Sequence, residues 1–400
     1  MKPRHHLLLC ILIAACSTDR AADRHGFVTR LGDDTISVEQ VSRRGDTVTI
    51  EGVDRFPFVR RRHTEVVLAG DGRMQRLRMD IRTPNAPVAL ERERRFTALI
   101  RGDSLVVTTT DSGGTETLAF AVGSALTMPH VPQVYGLAEL YLAAAMARGS
   151  AEQLAPGDSV HVTQFYPDVP FSRFPIHDGY VHPVAGGKVE LWHDWLAGIG
   201  DATMDSRHRL LAYSGARSTY KVDVVRVSAP LDVDATFARL VTEEKARGAG
   251  QLSVRDTVRA TIGAATFTVD YGRPLARGRT LLGNVITYDA VWRTGANAAT
   301  QFTTSARITV VGMALAPGTY TLWTVPRADG RADLIVNRQV GQWGTGYDDA
   351  HDVGMAPLVV ATTPDPVDAF TIAITPADTH HGTLVLTWGT FRWSAPIVVP

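Results

Sequence analysis

Planar hydrogen-bond donors and aromatic rings cluster in the last third of the chain. Arginine carries a planar guanidinium, asparagine carries an amide, and tryptophan and tyrosine carry flat ring faces. Together such side chains suit an oxyanion or a sugar ring. The ligand-binding candidates are Tyr271, Arg273, Arg279, Trp292, Arg293, Asn297, Asn337 and Trp343.

The densest part of this group is "VWRTGANAATQF", residues 291–302. Gly295 permits a bend or a close backbone approach between Arg293 and Asn297, which a plain strand would not. A structural role competes with binding, because a buried tryptophan usually belongs to a core and a neighbouring arginine often clamps backbone carbonyls or a carboxylate. We rank a structural signature first, a ligand cleft second and catalysis third.

Histidines and acidic residues in "HDGYVH" and "WHDW" are weaker candidates for a metal site. They are His177, Asp178, His182 and His193. Two or three imidazoles with a carboxylate can hold zinc. Histidines in loops beside proline and glycine are usually solvated, so we expect neither a metal nor another cofactor.

Short catalytic motifs are missing from the sequence. It contains no Gly-x-Ser-x-Gly, no His-Glu-x-x-His, no phosphate-binding Gly-x-x-x-x-Gly-Lys and no paired-cysteine metal knuckle. Binding is therefore favoured over catalysis. A hydrolase acting on cell-wall or imported glycans stays an alternative, because the carboxylate pair of a glycosidase need not be close in sequence.

Composition and charge define the class of protein. The chain is 44% hydrophobic and 20% charged, which is typical of a folded protein. Lys plus Arg equals Asp plus Glu at 41 each, so no net field attracts nucleic acid. We therefore expect no nucleic-acid partner.

Residues 1–15 resemble a secretory signal peptide, with Lys2 and Arg4 before a short apolar run. The sequence Ile-Ala-Ala-Cys ending at Cys16 resembles the bacterial lipobox, whose cysteine becomes lipidated. The lipid would anchor the protein to a membrane of the cell envelope through a tether at 16–26. Ser17 stands where an aspartate can retain lipoproteins in an inner membrane, so we expect the outer membrane, on its periplasmic or surface face.

Residues 27–230 predict an antiparallel β domain, because "RLRMDIR" alternates apolar and charged side chains and turn signals recur. The composition of 134–148 predicts one helix packed on the sheet. A helical linker follows at 231–252, with Asp234 as a plausible N-cap. The region is faintly similar to the half-barrels of periplasmic lipoprotein carriers, which implies a third alternative, a lipid or lipoprotein carrier with an apolar cavity beneath the helix.

Residues 253–400 resemble a family of exported bacterial proteins known as domain of unknown function 2911. The resemblance is carried by "TFTVDYGRPLARGRTLLGNVITYDAVWRTGANAATQF", "LAPGTYTLWTVP", "VNRQVGQWG" and "LVLTWGTFRWSAPIVVP". It implies a compact β-sandwich with no established activity. Family members commonly read Asn-Glu-Ala-Thr where this chain has Asn297-Ala298-Ala299-Thr300, so a function that needs that carboxylate is in doubt here.

The sequence as a whole predicts a mainly β protein with an N-terminal antiparallel sheet, a linker helix and a C-terminal β-sandwich. We expect a lipid-anchored envelope protein that binds a small polar or glycan-derived ligand, or that has a structural role in the envelope.

Overall fold

A computed structural model of the chain describes residues 23–151, 158–167, 176–193, 196–248 and 250–400. The predicted signal peptide, Cys16 and most of the predicted tether lie outside the described residues. Within the described ranges, no helix is long and apolar enough to cross a membrane.

The N-terminal unit is a sheet of fifteen strands with one helix, α1, packed against it. The spatial order is β8-β7-β6-β5-β4-β3-β2-β1-β15-β14-β13-β12-β11-β10-β9, and neighbours are antiparallel except for the parallel pair of β9 and β10. The elements are β1 Asp23–Leu31, β2 Asp34–Arg44, β3 Thr47–Asp54, β4 Arg60–Leu68, β5 Met74–Arg82, β6 Glu93–Arg101, β7 Ser104–Asp111, β8 Gly114–Ala121, β9 Thr127–Pro129, α1 Tyr135–Ala151, β10 Val160–Phe165, β11 His177–Val184, β12 Lys188–His193, β13 Leu196–Met204, β14 Leu210–Ser218 and β15 Asp223–Val227.

Strand β5 illustrates why these segments form a sheet with two different faces. Leu77, Met79 and Ile81 are buried, whereas Arg78 and Arg82 are exposed. Successive side chains of a strand point to opposite faces, so the alternating sequence places one face on the core. The alternation predicted from "RLRMDIR" is confirmed.

Helix α1 lies in the core that the sheet provides. It spans Tyr135–Ala151, close to the predicted 134–148. Leu137, Leu142 and Ala145 are fully buried although they do not share one stripe, and a helix that is apolar all round is a core helix. Leu105 of β7 and Val189 of β12 belong to the same core cluster as α1. The sheet therefore curls around the helix.

Two glutamates tie α1 to the sheet. Glu39 of β2 accepts hydrogen bonds from the backbone N–H groups of Tyr135 and Gly136, at 2.7 and 2.9 Å. Burial raises the pKa of Glu39 to about 7, against the lowering effect of these two bonds. Glu139 of α1 lies 3.1 Å from the Nε2 of His25 and also contacts Arg226. Both carboxyl groups fix the helix within the curled sheet.

Helix α2, Val233–Arg247, follows the N-terminal sheet. Its N-cap is Asp232, whose side chain accepts a hydrogen bond from the backbone N–H of Ala235 at 2.8 Å. The predicted cap, Asp234, was wrong: its carboxylate lies in the first turn and pairs with Arg61 at 3.0 Å. Leu240 packs with Val53 of β3, which places α2 against the N-terminal sheet.

The C-terminal unit consists of two sheets. One has the order β16-β17-β18-β21-β22-β23 and the other β20-β19-β25-β24. Phe267, Phe302, Phe370 and Trp388 belong to one buried cluster that both sheets share, which is consistent with a sandwich. The strands are β16 Ser253–Ile262, β17 Ala265–Pro274, β18 Thr300–Thr304, β19 Ile308–Val310, β20 Met313–Leu315, β21 Gly318–Pro326, β22 Ala332–Asn337, β23 Asp352–Pro357, β24 Val359–Pro376 and β25 His381–Val398.

This architecture confirms the predicted fold class. The chain is mainly β, with a large N-terminal sheet, two helices and separate C-terminal sheets.

The two units meet where the β1–β2 turn contacts the loop after β17. The backbone N–H of Asp33 donates to the carbonyl of Arg277 at 3.0 Å. The side chain of Arg277 is buried, and its Nε lies 2.8 Å from the carboxylate of Asp34. The same guanidinium donates to the carbonyl of Leu252 at 3.1 Å. These contacts fix the position of the two units at this junction.

Candidate functional site

Trp292 anchors the "VWRTGAN" stretch to the C-terminal core. Its backbone pairs with Thr324 of β21 through hydrogen bonds of 2.8 and 2.9 Å. Its indole stacks on Trp388, with ring centroids 6.0 Å apart, and meets Phe370 edge to face at 5.1 Å. Trp292 therefore supports the loop that begins after it.

The residues after Arg293 form a tight, strained turn. Thr294 and Asn297 have positive φ angles of 50° and 63°, a region that asparagine tolerates and a β-branched residue rarely adopts. Thr300 holds the turn by donating from its hydroxyl to the carbonyl of Thr294 at 2.6 Å. Strain of this kind persists only where neighbouring contacts enforce it, and it concentrates at functional sites.

Gly272 of β17 makes room for this turn. The backbone N–H of Ala296 donates to the carbonyl of Gly272 at 3.2 Å, and any side chain at Gly272 would collide with the carbonyl of Ala296. The glycine of "YGRP" is therefore required by the close approach of two backbones.

A second loop, residues 338–347, packs against the turn. The backbone N–H of Gly344 donates to the carbonyl of Asn297 at 2.9 Å, and that of Ala299 donates to the carbonyl of Gln342 at 3.2 Å. Ala298 pairs with Trp343 through its backbone. The amide side chain of Asn297 is exposed, so its polar groups face solvent beside this second loop.

Arg293 is held between the two loops. A side chain at Gly344 would collide with the Cδ of Arg293, so glycine is needed where the arginine stem passes. The Nε of Arg293 is buried without a hydrogen-bond acceptor, and its guanidinium makes no ion pair within the described ranges. Burial lowers the pKa of Arg293. An arginine acting as an internal clamp would have an acceptor at this position.

Trp343 precedes Gly344 in the second loop, and its side chain is exposed. Its relative exposure is 58%, the second-highest value among the exposed large hydrophobic side chains. The loop that carries this indole packs against Arg293 and Asn297, so it offers a flat face for a ring-shaped polar ligand near both residues.

The family comparison covers these loops completely. Residues 253–397 match the DUF2911 family model. Its description is protein of unknown function, and the match agrees with the resemblance inferred for 253–400. None of the curated proteins matches the chain. A crystal structure of a DUF1089 family protein from Pseudomonas aeruginosa is similar with a TM-score of 0.34 and 12% identity, covering 46% of this chain and 92% of that one.

Three other candidates in the DUF2911 segment have their polar groups occupied. Tyr271 lies in the core, where its hydroxyl accepts from the backbone N–H of Ile372 at 3.1 Å. Arg273 donates to the carbonyl of Phe370 at 3.2 Å. Asn337 is fully buried and donates to the carbonyl of Asp348 and to the carboxylate of Asp352, at 2.8 and 2.7 Å. We leave these three and Trp292 out of the proposed site.

The guanidinium of Arg279 is hydrogen-bonded within the fold, and the residue also lines a cavity. Its Nε donates to the carbonyl of Ala276 at 3.0 Å and a terminal nitrogen donates to that of Leu275 at 2.7 Å. It also lines a cavity of about 510 Å³ together with Asp368 and Trp388. Burial, and then the charge of Arg277, lowers the pKa of Arg279.

The structure gives the histidine candidates other partners. Asp178 lies 2.7 Å from the Nε2 of His161, and the Nδ1 of His182 lies 3.2 Å from the carbonyl of Asp158. His177 packs its ring edge to face with Tyr166, and the side chain of His193 lies outside the described residues. Across the described ranges, no three His, Cys, Asp or Glu side chains group so as to hold a metal ion.

The alternative of a glycan hydrolase requires a pair of carboxylates in a cleft. A groove of about 720 Å³ on the N-terminal unit contains several carboxylates. Its lining includes Asp80, Glu93 and Asp111. Asp80 is paired with Arg95 at 2.5 Å and with Arg78 at 2.9 Å. Each carboxylate oxygen of Asp80 is therefore held by a guanidinium, Oδ2 by Arg78 and Oδ1 by Arg95, which leaves Asp80 poorly placed to act on a substrate.

Proposed function

We propose that the protein is a non-catalytic binding protein of the bacterial cell envelope, anchored by a lipid on Cys16. Its DUF2911 segment binds a small polar ligand derived from a glycan. The signal-like residues 1–15 and the lipobox-like Cys16 support the envelope location, with the outer membrane as the expected membrane.

One observation carries the binding proposal. Arg293 is half-buried, and its buried Nε has no acceptor within the described residues. Exposed side chains of Asn297 and Trp343 lie at the loops that hold it. A buried guanidinium nitrogen without an acceptor costs stability, and the exposed indole of Trp343 on the neighbouring loop adds little to the core. A bound ligand that offers an acceptor to Arg293 and a ring face to Trp343 explains both features.

The carrier alternative has less support. The interior around α1 contains aromatic and aliphatic side chains, among them Phe96 and Phe165, whose rings stack at 6.2 Å, and the fully buried Leu142. A lipid carried beneath α1 would have to occupy the space that these side chains fill. We therefore place the binding function on the DUF2911 segment.

Replacing Trp343 by Ala is expected to weaken ligand binding by about five- to tenfold, the equivalent of a stacking contact of about 1–1.5 kcal/mol. The measurement is calorimetric titration of the purified protein with glucuronate, glucose 6-phosphate and glucose. Stability should change by less than about 0.5 kcal/mol, because the ring is exposed.

Trp192→Ala is the matched control for this titration. Trp192 is also exposed, at 41%, but lies on strand β12 of the N-terminal sheet. Its replacement should leave the affinity unchanged. Equal affinities for the wild type and Trp343→Ala, or no heat with any of the three probes, would contradict the proposed function.

A further inference from the structure

The cavity of about 510 Å³ in the C-terminal unit lies at the irregular middle of β24. The pairing of β24 with β25 shifts register on both sides of Val367, and the partner of Val367, Gly389, has a positive φ of 53°. Such irregularities interrupt a ladder and re-aim its side chains. The loop after β17 supplies another wall, and it is tied to β24 by the N–H of Ala276, which donates to the carbonyl of Asp368 at 2.8 Å.

Most side chains that line this cavity are apolar. They include Leu281, Leu282, Val367, Trp388 and Phe391. Trp388 and Phe391 belong to the buried core of the unit. The indole N–H of Trp388 donates to the carbonyl of Asp368 at 2.8 Å, so the donor of this ring is satisfied within the fold. Sites for small organic molecules are mostly apolar cavities of about 300–1,000 Å³ with a few placed polar groups, and this cavity has that size and that wall.

Two side chains of opposite charge, Arg279 and Asp368, line the same cavity. The guanidinium of Arg279 donates only to main-chain carbonyls, those of Leu275 and Ala276, which leaves some of its five N–H donors unused. The carboxylate of Asp368 accepts the backbone N–H of Arg277 at 3.1 Å through one oxygen. Within the described ranges, Arg279 and Asp368 form no ion pair with each other or with another residue. One cation and one anion therefore remain available to a ligand in an otherwise largely apolar cavity.

We propose that this cavity binds a free amino acid with an apolar side chain. Arg279 binds the carboxylate of the ligand, Asp368 binds its ammonium group, and the apolar wall packs against its side chain. A zwitterion supplies both counter-charges at once, through charge-assisted hydrogen bonds. The described residues that line the cavity include neither Arg293 nor Trp343, so this site is distinct from that of the proposed function and goes beyond it.

Calorimetric titration of the full chain with L-phenylalanine and three analogues tests the site. Hydrocinnamate lacks the ammonium group and phenethylamine lacks the carboxylate. Each should bind about 10-fold or more weakly than phenylalanine, the effect expected for losing one charge-assisted hydrogen bond. Glycine keeps both charges but lacks the apolar side chain, and it should also bind about 10-fold or more weakly.

Two variants assign the charges to the two residues. Asp368→Asn keeps an acceptor oxygen for the N–H of Arg277 and should weaken phenylalanine binding by about 10-fold while hydrocinnamate binds no more weakly than to the wild type. Arg279→Gln should show the opposite selectivity, with weaker binding of phenylalanine and hydrocinnamate and unchanged binding of phenethylamine. This difference between probes separates a lost contact from a general loss of structure.

Asp365→Asn is the matched control, because Asp365 is exposed on the same strand and lies outside the described lining of the cavity. It should bind phenylalanine within about twofold of the wild type, and so should Trp343→Ala. If hydrocinnamate binds as tightly as phenylalanine, or if Asp368→Asn binds phenylalanine like the wild type, the zwitterion site is wrong. Absence of phenylalanine binding to the wild type also overturns it, whatever the result with glucuronate.

Discussion

Replacing Glu139 by Leu is expected to lower the free energy of unfolding by about 3–5 kcal/mol, the range for removing one partner of a buried ion pair. Glu139 contacts the guanidinium of Arg226, and both side chains are only 13% exposed. The carboxylate also accepts the backbone N–H of Leu210 at 2.9 Å. The substitution therefore leaves a buried cation and a backbone donor without their acceptor. Urea denaturation at neutral pH measures the loss.

Two control variants separate this effect from a general loss of negative charge. Glu243→Leu removes a glutamate from the surface of α2, where it pairs with Arg239 in an exposed i, i+4 bridge, and should cost less than about 0.5 kcal/mol. Combining Glu139→Leu with Arg226→Leu should recover part of the loss, because the unpaired cation is gone. A Glu139→Leu variant as stable as Glu243→Leu would show that the buried pair does not stabilise the fold.

Gly272→Ala is expected to destabilise the protein by about 4 kcal/mol, at the upper end of the effects of single substitutions. The added methyl group would overlap the carbonyl oxygen of Ala296 and lie 2.7 Å from its carbonyl carbon. The backbones of Gly272 and Ala296 are hydrogen-bonded to each other, so neither can move away without opening the "VWRTGAN" turn. We expect binding of glucuronate to be lost as well, because that turn positions Arg293.

Gly346→Ala is the matched control in the same unit. Its φ angle does not require glycine, and its added methyl group would make only ordinary contacts of 3.4 Å or more. Thermal unfolding of the two variants should therefore differ clearly, with Gly346→Ala close to the wild type. If Gly272→Ala melted at the wild-type temperature, the close backbone approach would not explain the glycine of "YGRP".

Local sequence patterns were sufficient to predict the elements. The period-2 alternation of residues 76–82 and the apolar composition of 134–148 depend on neighbours in the chain, and the structure has a strand and a helix there. The N-cap of α2 was misplaced by two residues because Asp232 and Asp234 are both good caps and only backbone geometry chooses between them. The DUF2911 segment was predictable because its motifs are long and specific.

The pairing of charged residues could not be predicted. Nothing near Arg293 or Arg273 in the sequence shows that the first lacks an acceptor while the second donates to Phe370, far along the chain. Long-range packing decides which side chains of a motif remain available to a ligand.

The most direct test of the binding site is the stability of Arg293→Met, measured by urea denaturation without ligand and followed by titration with glucuronate. Methionine matches the length of the arginine stem and is apolar, so it keeps the packing against Gly344 while removing a half-buried guanidinium whose Nε has no acceptor within the described residues. We predict that the free energy of unfolding rises by about 1–2 kcal/mol while binding is lost. A variant destabilised by about 2 kcal/mol or more would contradict the account, because it would show that Arg293 clamps the C-terminal unit and is not reserved for a ligand.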